Sequence, residues 1–361
     1  MTNSHRSGNW PSAPSHSGKK FYSILEQSVK KGLQMKAVVM NSIGDTDVIE
    51  VVNHPEPVAT LGHVLVQIAV AGVNFMDIGV RQGMAWTEIA NPKILGVEGA
   101  GRVLALGEGV TEFAIGDRVA WVYAPGSYAE RISIPAAALV NIPEYIDDQT
   151  AASLMMQGLT ASHFATDFYP VRPRDTALVH AAAGGVGLLL TQIIKLRGGR
   201  VIGRVSSRDK VEIAKQAGAE AVVVDTEGDF AEEVLRLTEG KGVDVVYDGS
   251  GPRTFKGSLD ALRRSGTFCW YGPVLGGPGS LEIISLPKSI KIGYAVFSDH
   301  IQTPELLRAR TRQLFDWIQD GLLKVSIGGS YPLTDAARAH ADMASRRTTG
   351  KLLLIACPPA R

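Results

Sequence analysis

Two cysteines, Cys269 and Cys357, are all that the chain contains. They lie far apart in sequence, which argues against a disulfide framework of the kind that staples small exported proteins. Structural zinc sites need Cys or His ligands at short spacing, and no such cluster is present; the isolated His54 and His63 read as residues of a surface turn. No apolar run reaches the ~18 residues that would point to a membrane span, so no membrane partner is expected. A surplus of one charge is missing as well. Lys and Arg number 37 against 36 Asp and Glu, a formal balance of +1, and no basic stripe of the kind a dedicated nucleic-acid binder carries is visible. No internal repeat at a solenoid period appears.

What is present is a chain of 361 residues, 45% of them hydrophobic and 39 of them glycine, long enough for two cores. Residues 1–34 stand apart. Met1–Lys20 is rich in Ser, His, Gly and Pro without an apolar period, and reads as a flexible extension. Arg6, Lys19, Lys20, Lys30 and Lys31 against Glu26 leave an organellar transit peptide open beside a plain extension, while the apolar heart of a secretory signal is missing. The reading adopted is a cytoplasmic protein.

Short strands with glycine turns follow. Met35–Met40, Val64–Ala71, Gly99–Leu106 and Arg118–Tyr123 predict a barrel-like β unit up to about residue 150. A helix is predicted over Asp148–Phe168, closed by Pro170 and Pro173. From there strands and helices alternate: Thr176–Ala181, Val186–Leu196, Val201–Ser206, Lys210–Ala217, Ala221–Val224, Phe230–Thr238, Val243–Tyr247, Thr254–Leu262 and Gly266–Tyr271. That alternation predicts an α/β fold with a parallel, doubly wound sheet. Helices over Leu306–Ile318 and Leu333–Arg347 and a strand over Leu352–Ile355 are expected to return to the first unit.

The strongest motif is His180–Gly187 (HAAAGGVG), between a hydrophobic strand and a hydrophobic helix. That context is what a dinucleotide-binding turn requires. Ala183, Gly184, Gly185, Val186 and Gly187 present free N–H groups and a positive helix end to a pyrophosphate. An NAD site places an acid at the tip of the second strand, about 20 residues on. Here the tip carries Ser206, Ser207, Arg208 and Lys210, with Arg204 in reserve, which suits a 2′-phosphate and predicts NADPH rather than NADH. The loops Asp248–Gly251, with Ser250, and Tyr271–Val274, with Gly272, follow strands at the same edge and are assigned to the nicotinamide half. Asp248 is open to a plain turn-capping role.

With these segments in place, the chain resembles the zinc-free quinone oxidoreductases, the zeta-crystallin-like branch of the medium-chain dehydrogenase/reductase superfamily. The resemblance runs from Met35 to Ile355 and rests on AGVNFMDIGVRQG (71–83), GVEGAG (96–101), HAAAGGVG (180–187), VVYDGSG (245–251) and SRRTTGK (345–351). It implies a GroES-like catalytic domain over 35–158, a Rossmann NADPH-binding domain over 159–296, and a segment 297–361 returning to the first. It also implies a homodimer and the reduction of quinones, by one or two electrons, or of activated double bonds. Where zinc-dependent relatives carry a Cys and a His, this chain has Asn74 and Val97, so the resemblance implies chemistry without metal.

Asn74 is the polar candidate in the cleft, a donor to a carbonyl oxygen as charge develops there. Asp77 and Arg81 complete the catalytic set as a pair that orients its loop. Thr160 matches a family threonine beside the nicotinamide, and Arg346 could reach the cofactor from the return segment, with Lys351 as the weaker candidate. Family members carry tyrosines at the places of Gly79 and Ala85, and another at Asp225, beside the adenosine phosphate. Met84 and Trp86 therefore shape a wider or more apolar pocket, and the acid at Asp225 counts against NADPH. The alternatives kept open are an enone or enoyl double-bond reductase, and a non-catalytic or RNA-binding crystallin-like protein.

Overall fold

The computed structural model describes residues 32–87, 92–272 and 281–356. The N-terminal half is built on long alternating strands. Strand β1 (Gln34–Met40) pairs antiparallel with β2 (Ile49–Pro55). Strand β3 (His63–Val73) alternates buried and half-buried residues along most of its length, as a strand with one face on a core must. It runs between β4 (Glu98–Leu106) and β5 (Lys351–Ile355), so the C-terminal strand closes the N-terminal sheet. The expected return of the chain end to the first unit is therefore present as strand pairing.

The second sheet has six parallel strands. Its spatial order places the third strand (Ala221–Val224) at one edge, then the second (Arg200–Val205), the first (Thr176–Val179), the fourth (Val243–Asp248), the fifth (Leu262–Trp270) and the sixth (Lys291–Tyr294). That 3-2-1-4-5-6 order reverses direction between the first and fourth strands, and ligands bind at such a switch point, beyond the strands' carboxyl ends. The first strand is buried throughout and the fourth nearly so. Each fully buried Val or Leu there contributes roughly 1.5–3 kcal/mol, which explains why residues 177–179 and 245–247 are apolar without alternation.

The helix Asp148–His163 joins the two sheets. Asp147 caps it by accepting from the Thr150 N–H at 2.8 Å. Every residue from Ala151 to His163 is buried, because one face lies on strands of the first sheet and the other on the helix Gly185–Leu196 of the second. The predicted continuation to Phe168 is not α-helical: Phe164–Phe168 forms a π-turn. Six strands among the described residues escaped the sequence reading: Ile49–Pro55, Lys93–Ile94, Arg131–Pro135, Leu139–Asn141, Lys291–Tyr294 and Ile327–Pro332. Ile49–Pro55, Lys291–Tyr294 and Ile327–Pro332 lie at sheet edges with exposed positions, so none of these three carries a clean apolar alternation. Among the described residues no helix is long and apolar enough to cross a membrane.

Candidate active site

The strand Thr176–Val179 leads into the glycine turn. Ala181 takes a left-handed conformation (φ 48°), and Gly184 is the extended N-cap of the helix Gly185–Leu196, with no side chain capping it. The first N–H groups of that helix are therefore free for an anion. Gly187 allows the close approach of helix to strand: a Cβ there would collide with the Ala181 carbonyl and lie 2.8 Å from Ala182 Cα. Gln157 rests on Gly185, where a Cβ would strike its amide. Its Oε1 is buried without a partner. Gly350, in the return segment, donates to the Ala183 carbonyl at 3.0 Å. An uncapped helix end and a backbone that tolerates no side chain fit a dinucleotide pyrophosphate.

Beside the turn lies a cleft of about 610 Å³, lined among others by Ser206, Ser207, Lys210, Asp225, Arg253 and Arg346. Lys210 is buried; its Nζ donates to the Arg346 carbonyl at 2.5 Å and to Ser206 Oγ at 3.5 Å. Burial holds its pKa below the usual lysine value, against the opposing charge of Asp209. Asp225 and Arg204, read separately from the sequence, pair with each other at 2.6–2.7 Å. Burial pushes the Asp225 carboxyl up, but Arg204 and the N–H groups of Gly228 and Asp229 outweigh it and hold it below the usual range. The acid that counted against a 2′-phosphate is thus neutralised inside the protein. Arg208 departs from expectation: it is exposed, opens a short 3-10 turn and does not line the cleft. Arg253 and Arg347 line it instead. They come from other elements, and nothing near the second strand announced them.

At the edge that the sequence reading assigns to the nicotinamide, Asp248 is committed to its own loop. It accepts from the Ser250 N–H at 2.8 Å, Thr254 Oγ1 at 3.0 Å and Ser258 Oγ at 2.7 Å. Tyr271 packs on Phe164 with ring centroids 4.6 Å apart and lies over Gly249. Gly272 follows with φ 67°. Pro273 and Val274 lie outside the described residues. Thr160 is buried and returns its hydroxyl to the Met156 carbonyl at 2.6 Å.

Asn74 ends β3 and precedes the helix Phe75–Arg81, which the sequence reading had left as loop. Its backbone N–H donates to Asp77 Oδ2 at 2.8 Å. Its side chain is held from both ends: Nδ2 donates to Glu98 Oε1 at 2.6 Å, and Oδ1 accepts from Lys351 Nζ at 2.9 Å. Lys351 also contacts Glu98 directly, and Glu98 Oε2 accepts the Met156 N–H at 2.6 Å. Among the described residues only the second N–H of the amide is uncommitted. Glu98, fully buried with Lys351, is the main residue the sequence reading missed at the site, although its signal was in the GVEGAG segment. Lys351, read from the sequence as a weaker cofactor contact, is turned instead onto Glu98 and Asn74. Gly72 makes room for Glu98, since a Cβ there would overlap its carboxyl.

The expected Asp77–Arg81 pair is not formed. Arg81 reaches Asp45 at 3.3 Å, while Asp77 accepts from Tyr128 Oη at 3.0 Å. Both stand on one short helix, and each is drawn to a partner on a different strand or loop. Burial raises Asp77 to about 7, with Glu98 adding to the rise. Tyr128 is spent on Asp77 and His340. Tyr123 is differently placed: it stacks on Phe297 at 4.7 Å and lies 6.2 Å from Trp86. The three rings form one aromatic wall contributed by separate parts of the chain.

Two family models match: a zinc-binding dehydrogenase model over residues 185–319 and an alcohol dehydrogenase GroES-like domain over 60–144. The chain is similar to a quinone oxidoreductase of Pseudomonas aeruginosa, 37% identical over 325 residues, covering 89% of this chain and 99% of the relative. It is 34% identical to a 2-haloacrylate reductase of a Burkholderia species, over 81% of this chain and 91% of that one. Among solved structures, the quinone oxidoreductase of Escherichia coli complexed with NADPH superposes with a TM-score of 0.85 at 33% identity, covering 89% of this chain and 99% of that one.

Proposed function

The chain belongs to the zinc-free quinone oxidoreductase branch of the medium-chain dehydrogenase/reductase superfamily, and on that premise we propose that it is an NADPH-dependent reductase of quinones or related conjugated carbonyl compounds. The observation that carries this reading is the uncapped helix end at Gly184–Gly187, standing at the switch point of the parallel sheet beside a basic cleft. The bound dinucleotide supplies the hydride.

In this reading the N–H groups of Ala183, Gly185, Val186 and Gly187 hold the pyrophosphate, and Gly184, whose own N–H is spent on the Ala181 carbonyl, lets it approach. Ser206, Ser207, Lys210 and Arg346 take the 2′-phosphate. Arg204 keeps Asp225 from repelling it. Thr160, Ser250, Tyr271 and Gly272 border the nicotinamide half. The free N–H of Asn74 donates to the acceptor's carbonyl oxygen, while Lys351 and Glu98 fix the amide's direction. Preorganised donors act on charge as it develops, without reorganising. Asp77 and Arg81 are positioning residues, and the proton that completes the reduction comes from solvent. The wall of Trp86, Tyr123 and Phe297 supplies a flat apolar face for a planar acceptor and helps keep water out.

The similarity to a 2-haloacrylate reductase favours a second reading, reduction of a carbon–carbon double bond conjugated to a carbonyl. NADPH oxidation against a quinone panel and an enone panel separates the two. Turnover of quinones with Kd for NADPH well below that for NADH is the expected result. Activity on enones alone supports the second reading, and equal affinity for the two dinucleotides overturns the 2′-phosphate assignment. A homodimer is part of the same proposal: the sixth strand has a free outer edge among the described residues, and Ile283, Ile284, Ile292 and Tyr294 are exposed near it. With two cysteines and no disulfide expected, we place the protein in the cytoplasm.

A further inference from the structure

We infer that His163, Asp167 and His300 form a binding site for one divalent transition-metal ion, separate from the hydride-transfer cleft. The three residues each bring one ligand-capable atom, and these atoms lie within 4.8 Å of one another. His163 is the last residue of the long buried helix, and Asp167 stands four residues on, in the π-turn Phe164–Phe168. Spacing of four on a helical turn puts two side chains on one face, and π-turns recur at functional sites. His300 comes from the 3-10 segment Phe297–Ile301, which begins with the ring that stacks on Tyr123.

The donor set is suited to the task. His163 is 6% exposed, and its Nδ1 is buried with no hydrogen-bond partner among the described residues. A buried polar atom left without a partner calls for an explanation, and a bound ion is one. His300 Nδ1 lies 2.5 Å from Asp167 Oδ2, and its Nε2 is 3.2 Å from Ser162 Oγ. With Nδ1 on a metal, the Nε2–H would donate to Ser162, the outer-sphere support that metal-bound histidines usually have. Asp167 and Asp299 outnumber Arg310 around the site, and Arg310 holds Asp167 only at 3.3–3.4 Å. The Asp167 side chain is 38% exposed, which gives an ion a way in. Two imidazoles, one carboxylate and a water make a tetrahedral set for zinc-like ions. Ligands bound at about 2.1 Å stand roughly 3.4 Å apart, so side-chain rotation by little more than 1 Å closes the site. The ion would tie the end of the joining helix to the segment that crosses back to the first sheet.

The test is titration of chelator-stripped full-length protein with Zn²⁺ against a chromophoric competitor, repeated with Co²⁺ to record d–d absorption. Asp167→Asn and His300→Gln are measured separately, so that one answers if the other misfolds. His5→Gln/His16→Gln and His54→Gln/His63→Gln serve as controls. One equivalent should bind to the parent, with tetrahedral Co²⁺ bands and a rise in Tm. Either site variant should weaken Zn²⁺ at least about 10-fold and lose both signatures, while the controls keep them. No stoichiometric binding to the parent, or binding lost in a control but kept in Asp167→Asn, overturns the site. Because the readouts are metal affinity, Co²⁺ spectrum and Tm, the outcome does not depend on the reductase reading.

Discussion

The nucleotide edge and the junction beneath Asn74 are both rich in charge, and they use it in opposite ways. At the edge, Ser206, Arg253, Arg346 and Arg347 are exposed around an open cleft, and the one acid near the second-strand tip that is well buried there, Asp225, is already matched by Arg204. At the junction, Glu98, Lys351 and Asp77 are fully buried and Asn74 nearly so, and they hold one another. Charges kept in water cost little and stay available to a ligand. Charges removed from water must be paired within the protein, and what they yield is direction: one amide N–H of Asn74 aimed and fixed.

Removing one member of the buried set should show this contrast at its greatest. Lys351→Met leaves the Glu98 carboxylate buried without its cation, and should destabilise the fold by about 3–5 kcal/mol in urea unfolding. Adding Glu98→Gln should recover much of that loss. A single variant that costs under about 1 kcal/mol would mean that the two regions do not differ in kind.

Acid should act next most strongly, and again through buried groups. Burial lowers His163 and His180 to about 4 and His340 to about 3 in the folded state, against 6.5 when unfolded. Between pH 6.5 and 4 the unfolded chain therefore binds protons that the folded chain refuses, and stability falls as pH falls. Asp77 works the other way: raised to about 7, it holds a proton more tightly when folded, and its contribution is lost as pH rises from about 4 through 7. Three groups against one leave a net slope of roughly 2–3 kcal/mol per pH unit near pH 5. Urea unfolding at pH 7 and pH 5 measures it. Asp77→Asn should steepen the slope and His340→Asn should flatten it; the reverse pair of outcomes would contradict the assignment.

At the open edge the effects move from stability to binding. Arg346→Ala should raise Kd for NADPH about 10-fold, near 1.4 kcal/mol, with little change for NADH and little change in unfolding. The difference should shrink with added salt, since these charges are exposed. Equal weakening of both dinucleotides would place Arg346 away from the 2′-phosphate.

Much of this was legible in the sequence because it is local. The glycine turn, the alternation of strands and helices and the acid-free tip at Val205–Ser207 are each written in a few consecutive residues. What escaped depends on tertiary pairing. Asp77 and Arg81 are four apart on a helix and invite an ion pair, but Tyr128 and Asp45 reach them first. Glu98 and Lys351 lie 253 residues apart, and only the closing of β5 onto β3 brings them together. Arg204 and Asp225 end neighbouring strands, so their pairing follows from strand order, which single-sequence patterns do not contain. The edge strands escaped for the reason that they are half exposed on both faces.

Arg208 is where sequence position and spatial position give the sharpest disagreement, and the smallest expected effect. By spacing it sits where a 2′-phosphate arginine belongs. In the fold it heads a 3-10 turn with its side chain in solvent, and the turn sends Lys210, two residues on, into the cleft instead. Arg208→Ala should therefore change Kd for NADPH by less than about 2-fold, and stability by no more than about 0.5 kcal/mol. Lys210→Ala, by contrast, removes the ammonium that joins Ser206 to the Arg346 carbonyl, and should weaken NADPH at least as much as Arg346→Ala does. If the two arginines turned out equal, the 3-10 turn would have to open toward the ligand on binding, and the nucleotide edge would be a surface that is assembled by its cofactor and not one already in place.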